Sequence, residues 1–205
     1  MRLGVVGGTF DPVHNAHLVA AEEARFQFDL ERVVFIPSAR PPHRAGAPHA
    51  TAEDRYRMIE LAIEGNPHME VSRIEVERDG LSYTIDTLRE LHLMYGADTE
   101  LYFIAGADEV LDIRSWKDPE SVLAECFLVA ASRPGFSLDH LAEAIPERIS
   151  TGESSTGRVL PMEMPALDIS ATDIRARAAV GRPFRYLVPE AVWLYIVEKR
   201  LYVER

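Results

Sequence analysis

Short apolar runs alternate with segments of helical periodicity along most of the chain. The runs cover residues 2–6, 32–37, 101–105 and 126–131. Because this alternation is typical of a parallel sheet whose strands are joined by crossover helices, it predicts an α/β fold. We expect a Rossmann-like, open and mostly parallel sheet flanked by helices, with a small helical part at the C-terminal end. The 205 residues are expected to form one domain, 1–205.

Local patterns predict further elements. Residues 51–54 resemble a capping box and open a helix that runs to residue 63. Residues 69–76 alternate between apolar and polar side chains, which predicts a strand with one wetter face. A helix begins near residue 82, with Ser82 or Thr84 as its N-cap. The last short strand, over 159–162, contains a proline and is therefore expected at an edge of the sheet.

Composition narrows the class of function. The net charge of −11 argues against a general binder of nucleic acid or membrane surfaces, since such proteins carry a basic field. An anionic substrate must therefore meet local positive charge. The single cysteine, Cys126, stands in an apolar run, which predicts a buried side chain rather than a nucleophile. The chain shows neither a signal-peptide pattern nor an apolar run near ~20 residues, so we expect a cytoplasmic protein.

The first apolar run leads directly into a glycine-rich turn. Its residues are Gly7-Gly8-Thr9-Phe10-Asp11-Pro12-Val13-His14-Asn15-Ala16-His17. Two adjacent glycines allow a sharp turn and a close approach to a ligand, and N–H groups at the start of the following helix form an anion site. His14 and His17 are three residues apart, so on a helix they share one face. The stretch therefore indicates a polyphosphate site.

Each piece of this turn also has a plainer interpretation. Glycines between a strand and a helix are common, and a lone histidine is usually solvated or part of a core. Two histidines at this spacing also suit a metal site, but no cysteine or His-x-x-Glu pattern nearby supplies further ligands. The glycine spacing matches neither the dinucleotide-binding nor the Walker motif. The agreement of many positions at once favours the phosphate interpretation.

A second helix start with anion-binding features comes late in the chain. Ser170 and Asp173 form an approximate capping box. Two hydroxyls, of Ser170 and Thr172, and free N–H groups make a second anion site. Arg175 lies one turn further, where its guanidinium can hold a phosphate bidentately. The plainer alternative is a capped surface helix with a solvated arginine.

Other candidates follow predicted strands, where open α/β sheets place ligand loops. His43 and Arg44 stand in a loop rich in proline, arginine and histidine and are candidates for gripping a phosphate, an ordinary solvated loop being the alternative. Gly106 and Asp108 follow the third apolar run, and Asp108 is equally suited to cap the next helix. Trp116 is suited either to cover an edge of the core or to stack on a planar ring.

Taken together, residues 7–17 resemble the signature of the nucleotidyltransferase superfamily that carries an H-x-G-H motif after a G-T-F-D-P turn. Ala16 stands where that family usually has glycine, and since alanine adds only a methyl group we expect it to be tolerated. Along nearly its whole length the chain resembles the bacterial nicotinate mononucleotide adenylyltransferases. The matching pieces are residues 7–17, 37–38 with 41–44, 82–88, 106–108 with Trp116, 132–135, and 169–172 with Arg175.

The resemblance implies transfer of the adenylyl group of ATP to nicotinate mononucleotide, which yields deamido-NAD and pyrophosphate in NAD biosynthesis. It implies His14, His17 and Arg175 as catalytic residues, and Mg²⁺ held mainly by ATP phosphate oxygens. The residues it assigns to ATP are Gly7, Gly8, Thr9, Phe10, Gly106, Asp108, Ile169, Ser170 and Thr172. Those it assigns to the mononucleotide are His43, Arg44, Tyr83, Thr84, Trp116 and Arg133.

Two alternatives stay open at this point. One is a related nucleotidyltransferase that acts on nicotinamide mononucleotide or on another phosphorylated acceptor, such as phosphopantetheine. The other is a non-catalytic module that senses ATP, against which the intact His14, His17 and Arg175 argue. The expected partners are ATP and nicotinate mononucleotide, with no nucleic acid and no membrane. Whether the chain forms a homo-oligomer stays open too.

Overall fold

The parallel sheet predicted from the alternating pattern is confirmed. The computed structural model describes residues 1–41, 47–132 and 159–203. Its strands are β1 (Arg2–Gly8), β2 (Arg32–Pro37), β3 (Met69–Val71), β4 (Glu100–Gly106), β5 (Phe127–Ser132) and β6 (Val159–Glu163). They form one sheet in the order β3-β2-β1-β4-β5-β6, and every neighbouring pair is parallel. β6, in which Pro161 lies at an internal position, is at an edge as expected.

Helices of the described residues cover both faces of this sheet. They are α1 (Asn15–Gln27), α2 (Ala52–Ile63), α3 (Thr84–Tyr95), α4 (Ala107–Leu111), α5 (Pro119–Glu125), α6 (Ala171–Ala179) and α7 (Glu190–Lys199), with short 3₁₀ turns at Ile113–Ser115 and Arg185–Leu187. Two predicted caps are present, since the hydroxyl of Thr51 accepts the N–H of Asp54 and that of Ser170 accepts the N–H of Asp173. The C-terminal helical part consists of α6 and α7.

The sheet separates two apolar cores. Residues at alternate positions of a strand point to opposite faces, so Val33 and Phe35 join the core under α1, α2, α6 and α7. Val34 and Ile36 join the core under α3, α4 and α5. Strands covered on both faces are apolar at nearly every position. This double coverage explains the continuous apolar runs in the sequence.

The order of the strands decides where a ligand can bind. β1 pairs with β2 on one side and with β4 on the other. The crossover through α1 lies on one face and the crossover through α3 lies on the other. Where successive crossovers leave a sheet in opposite directions, a crevice opens beyond the carboxyl ends of the strands. In this chain that crevice lies beyond Gly8 and Gly106.

The strand predicted over residues 69–76 is wrong in its second half. Only Met69–Val71 pairs with β2. Beyond it the N–H of Ile74 donates to the hydroxyl of Ser72, and the N–H of Glu77 donates to the carbonyl of Arg73. These local bonds replace the ladder at the sheet edge and turn the chain, although the side chains still alternate in polarity.

The predicted N-cap of α3 is also wrong. The cap residue is Tyr83, and no side chain caps this helix start. The backbone N–H of Ser82 donates to the carbonyl of Arg40, and its hydroxyl accepts from the Arg40 N–H. Ser82 therefore connects the helix start to a distant loop, which local sequence does not reveal.

Two further predictions concern Cys126 and membrane-spanning segments. Cys126 is buried, as predicted, and burial raises the pKa of its thiol to about 12, so the thiol stays protonated at neutral pH. In the part of the chain that the structure describes, no helix has the length and apolar character needed to span a bilayer.

Two leucines of α3 offer a matched test of the packing. Leu91 is fully buried, whereas Leu93 is 86% exposed. We expect Leu91→Ala to lower the free energy of unfolding by about 2–5 kcal/mol, since it leaves a cavity under the helix. Leu93→Ala, with the same change in side chain, is expected to stay within about 0.5 kcal/mol of the wild type. Urea denaturation measures both, and equal losses would contradict the assigned faces of α3.

Candidate active site

Two adjoining cavities lie beyond the carboxyl ends of β1 and β4. The His14 cavity, lined by residues of the first turn and of the α6 start, has a volume of about 480 Å³. The Trp116 cavity, lined by the α3 start and by Trp116, has a volume of about 280 Å³. Both are comparable with small-molecule sites, which run from roughly 300 to 1,000 Å³. Gly7, Gly8, Thr9 and Glu109 line both cavities, so the two spaces meet at the end of β1.

The structure brings one predicted set of residues together in full. The residues predicted to be catalytic or to bind ATP all line the His14 cavity: Gly7, Gly8, Thr9, Phe10, His14, His17, Gly106, Asp108, Ile169, Ser170, Thr172 and Arg175. Of the residues predicted for the mononucleotide, Tyr83, Thr84 and Trp116 line the Trp116 cavity. The remaining three, His43, Arg44 and Arg133, lie outside the described residues.

The sharp turn after β1 is not made by its glycines. Gly7 and Gly8 belong to the strand itself, and the turn is made at Phe10, whose φ is 50°. Gly7 is required for packing, because a Cβ there would stand 2.9 Å from the ring of Phe103 on β4. A Cβ on Gly8 would stand 3.3 Å from the ring of Phe10. The glycines therefore let neighbouring rings close on β1, and Phe10 supplies the strained conformation.

His14 and His17 lie together at the start of α1. His14 is the N-cap residue, and its backbone N–H donates to Nδ1 of His17 over 3.2 Å. The two rings are stacked, with centroids 3.7 Å apart and planes inclined by 22°. The ring of Phe10 contacts His17 in a T-shaped arrangement, with centroids 5.0 Å apart. Ala16, at the position where the family signature usually has glycine, lines the same cavity.

Desolvation keeps both imidazoles neutral, with His14 buried and His17 half-buried. Desolvation lowers the pKa of His14 to about 4. Desolvation, with a smaller effect from His14, holds the pKa of His17 well below its usual 6.5. Because Nδ1 of His17 accepts a backbone N–H, the neutral ring carries its proton on Nε2. His17 is therefore set as a hydrogen-bond donor through Nε2, without bearing a charge.

Arg175 joins the α6 start to the first turn. Its Nη1 donates to the backbone carbonyl of Asp11 over 2.7 Å, and its Nη2 donates to the hydroxyl of Thr172 over 3.2 Å. Among the described residues that line the His14 cavity, Arg175 is the one arginine, and lysine is not among them. The guanidinium, the neutral imidazoles and the N–H groups at the starts of α1 and α6 therefore supply the attraction for an anion.

Two buried charged residues beneath the turn were missed by the sequence analysis. Arg55 is 1% exposed, and its Nη1 donates to the carbonyl of Thr9 over 2.6 Å. Asp11 is also 1% exposed, and its carboxylate accepts the N–H groups of His49 and Ala50. Asp11 stands inside the recognised motif, which is a signal that could have found it. Arg55 stands in an ordinary helical pattern that gives no such signal.

The Trp116 cavity combines an aromatic wall with a helix start. Trp116 packs edge-on against Phe103, with centroids 5.7 Å apart. Lys117 lies with its Nζ 4.4 Å from the centre of the Tyr83 ring and 2.9 Å from the carboxylate of Asp86. The N–H groups at the start of α3 have no side-chain cap. The cavity thus offers a flat apolar surface beside groups that attract negative charge.

A buried carboxyl group in the wall of this cavity was also missed. Glu75 is 7% exposed, and burial raises its pKa, against the lowering effect of hydrogen bonds from Thr87 and Ser82. Arg78 donates to the hydroxyl of Thr87 over 2.9 Å and pairs with Glu90. The network ties the segment before α3 to its first turn. Glu75 falls within the stretch mistaken for a strand, which hid its role.

The two cavities are poor in ligands for a tightly held metal. In residues 1–41, 47–132 and 159–203, no group of three His, Cys, Asp or Glu side chains is placed to hold an ion. Asp108 and Glu109 line the His14 cavity, and burial together with the charge of Asp108 raises the pKa of Glu109. Mg²⁺ commonly binds through one or two carboxylates, several waters and phosphate oxygens. These residues fit an ion that arrives with a phosphate ligand.

The buried histidines predict a pH dependence of stability. In the unfolded chain each has a pKa near 6.5, so between about pH 4 and 6.5 the unfolded state binds protons that the folded state does not. Stability therefore rises with pH in this window and falls on acidification, by up to about 1.4 kcal/mol per pH unit for each histidine. We expect the double variant His14→Asn/His17→Asn to lose less stability between pH 7 and 5 than the wild type. Urea denaturation at several pH values measures this, and parallel curves would contradict burial of neutral imidazoles.

Comparison with known proteins places this geometry in a family. A family model described as Cytidylyltransferase-like matches residues 5–177. A protein of Moorella thermoacetica named "Probable nicotinate-nucleotide adenylyltransferase" is 50% identical over 204 residues, covering 100% of this chain and 93% of the relative. A protein of the same name from Desulfitobacterium hafniense is 46% identical over 205 residues, covering 98% of this chain and 95% of the relative.

Solved structures show the same fold at low sequence identity. The Plasmodium falciparum nicotinic acid mononucleotide adenylyltransferase complexed with NaAD has a TM-score of 0.77 at 17% identity and covers 98% of this chain and 97% of its own. The same protein complexed with APC has a TM-score of 0.75 at 17% identity, covering 98% and 96%. The identity to the bacterial relatives, over the full chain, establishes that this chain belongs to the cytidylyltransferase-like family and, within it, to the nicotinate-nucleotide adenylyltransferases.

Proposed function

We propose that this chain transfers the adenylyl group of ATP to the phosphate of nicotinate mononucleotide and releases deamido-NAD and pyrophosphate. The observation that carries the proposal is that two cavities meet at Gly7, Gly8 and Thr9, one with anion-binding helix starts and one with an aromatic wall. Two nucleotides bound in these spaces approach each other at the end of β1. The name of the bacterial relatives and the NaAD complex of the structural neighbour support this assignment.

The reaction requires precise positioning of the two substrates more than it requires proton transfer. The nucleophile is a phosphate oxygen of the mononucleotide, which is ionised at neutral pH, so a general base is not needed. The bond from this oxygen to the α-phosphorus forms as the bond from the α-phosphorus to the pyrophosphate oxygen breaks. The protein must align two anions and stabilise the charge that gathers on the leaving pyrophosphate. Fixed donors in a partly desolvated cavity suit this requirement.

The His14 cavity is assigned to ATP. Nε2–H of His17 donates to the triphosphate near the reacting α-phosphate, and His14 contacts the same group. A neutral imidazole donates a hydrogen bond to a phosphate oxygen without transferring its proton. This role fits the lowered pKa of both imidazoles. Arg175, with the hydroxyls of Ser170 and Thr172, takes the β- and γ-phosphates, where the negative charge of the leaving group develops.

The Trp116 cavity is assigned to the mononucleotide. Trp116 stacks on the pyridine ring, and backbone N–H groups at Tyr83 and Thr84 bind its carboxylate. The phosphate of the mononucleotide is taken by His43, Arg44 and Arg133, an assignment that rests on the sequence alone. Preference for the acid over the amide follows from the free N–H groups of the α3 start, which attract a carboxylate more strongly than a carboxamide.

Mg²⁺ is proposed to accompany the triphosphate. Asp11 already accepts hydrogen bonds from His49, Ala50 and Tyr202, which leaves Asp108 and Glu109 as the carboxyl groups beside the phosphates. When bound, the ion supplies positive charge to phosphate oxygens. His17 and Arg175 direct their donors to the other oxygens.

Turnover with different acceptor substrates distinguishes the proposed function from related activities. We would measure pyrophosphate release from ATP with nicotinate mononucleotide, nicotinamide mononucleotide and phosphopantetheine under identical conditions. Turnover that is fastest with the acid mononucleotide supports the proposal. Faster turnover with the amide or with phosphopantetheine would replace it with the related activity, and ATP binding without pyrophosphate release would indicate a sensing module.

Removal of the His17 imidazole tests the triphosphate assignment. We expect His17→Ala to lower kcat by roughly 10²–10³-fold, since it removes one fixed donor from the reacting phosphate. His68→Ala is the matched control, because His68 is exposed and lines neither cavity. Steady-state kinetics on both variants, with circular dichroism to verify folding, measure the effect. Near-normal kcat for a folded His17→Ala protein would remove the proposed role.

Removal of the Trp116 indole tests the acceptor assignment. We expect Trp116→Ala to raise the KM for nicotinate mononucleotide by about tenfold through lost stacking, and to leave the KM for ATP within about twofold. Trp193→Ala serves as the control, since Trp193 packs under Arg185 at the C-terminal end and away from both cavities. A rise in the KM for ATP alone would contradict the assignment of the two cavities.

A further inference from the structure

We propose that Tyr202, from the C-terminal end of the chain, is a positioning residue for ATP that acts through Asp11 on Arg175. The inference rests on the proposed function in one respect, the assignment of the His14 cavity to ATP. Tyr202 does not line that cavity, and its position after the last helix marks it as an ordinary tail residue in the sequence. In the fold, however, Tyr202 lies against the first turn and bonds to Asp11.

The chain turns back after α7 to bring Tyr202 beneath the first turn. Arg200 and Tyr202 adopt left-handed conformations, with φ of 52° and 65°. The hydroxyl of Tyr202 donates to Oδ1 of Asp11 over 2.9 Å, across 191 positions of sequence. Backbone conformations of this kind in residues other than glycine are costly and persist where the surrounding contacts hold them. The hydrogen bond to Asp11 is such a contact.

Asp11 is a buried charge held by several donors. Its Oδ2 accepts the N–H of His49 over 2.9 Å, and its Oδ1 accepts the N–H of Ala50 over 3.1 Å. Burial works to raise the pKa of Asp11, but these N–H groups and the hydroxyl of Tyr202 outweigh it and the pKa lies below the ordinary value. Loss of the Tyr202 hydroxyl removes one of the donors that stabilise this buried carboxylate, and its orientation is then set by the donors that remain.

A shift of Asp11 is transmitted to Arg175 through the backbone. Nη1 of Arg175 donates to the carbonyl of this same residue over 2.7 Å. The Asp11 carboxylate thus sets the position of its own carbonyl, and the carbonyl sets the direction of the guanidinium that is assigned to the β- and γ-phosphates. Misplacement of a binding group by about 1 Å is enough to cost up to 10²-fold in turnover.

A second tyrosine of the same segment separates positioning from simple stabilisation. The hydroxyl of Tyr195, on α7, donates to Oδ1 of Asp54 on α2 over 2.8 Å. This bond joins a phenol to a carboxylate as the Tyr202 bond does, and both residues are partly buried. Neither Tyr195 nor Asp54 lines either cavity. If the role of Tyr202 were structural alone, the loss of either hydroxyl would affect stability without a selective effect on ATP binding.

The test compares Tyr202→Phe with Tyr195→Phe in the full chain. We would measure the dissociation constant of α,β-methylene-ATP by calorimetry, the KM for ATP and for nicotinate mononucleotide, and Tm. We expect Tyr202→Phe to weaken analogue binding and raise the KM for ATP by about tenfold. The KM for the mononucleotide should stay within about twofold of the wild type. Tyr195→Phe should leave all three binding parameters within about twofold, whatever its effect on Tm.

Several outcomes would overturn the proposal. Equal effects of the two variants on ATP binding would make Tyr202 a structural residue, and so would a change in Tm without a change in either ATP parameter. A rise confined to the KM for the mononucleotide would assign Tyr202 to the other cavity. The calorimetric arm does not depend on the acceptor, so a wild type that binds the analogue but does not turn over nicotinate mononucleotide contradicts the proposed function and still tests Tyr202. A wild type that does not bind the analogue contradicts both.

Discussion

The parallel pairing of β1 with β2 on one side and β4 on the other is the constraint on which the candidate site depends. The crossover connections on either side of β1 lie on opposite faces of the sheet. They therefore leave space beyond the carboxyl ends of these strands, and the two cavities occupy that space. Close packing of the two strands keeps this point narrow, since the ring of Phe103 on β4 occupies the space that a side chain on Gly7 would need. The cavities therefore meet over the backbone of Gly7 and Gly8, where two substrates can come into contact.

The local electrostatics of the site explain how an acidic protein can bind anionic substrates. A chain with a net charge of −11 repels anionic substrates at long range, yet its proposed substrates are both anions. The His14 cavity, which is assigned to ATP, offers one guanidinium, two neutral imidazoles and the N–H groups of two helix starts. Dipoles of this kind act only at short range and in a fixed direction, so they favour a bound phosphate in one position. Burial of the imidazoles costs stability at low pH and in return keeps their donors fixed.

Local sequence patterns correctly predicted those features that depend on a single helix or strand. The runs buried on both faces, the caps at Thr51 and Ser170, and the edge position of β6 all follow from side chains a few residues apart. The same reasoning failed where a neighbouring segment competes for the backbone. Residues 72–76 alternate like a strand, but after the bond from the Ser72 N–H to the carbonyl of Phe35 local hydrogen bonds turn the chain away from β2. Ser82 has the composition of an N-cap, but it bonds to Arg40 instead.

The amino-acid sequence alone was enough to predict an α/β fold, a turn after β1 and many residues of the His14 cavity, because each depends on short-range spacing or on a contiguous motif. Only the folded chain reveals how that turn is held. Arg55, Glu75 and Tyr202 each stand in unremarkable local patterns, and their partners lie on other elements, in one case 191 positions away. A buried charge must find its donors wherever the fold places them. Those pairings are properties of the tertiary arrangement, and local sequence carries no record of them.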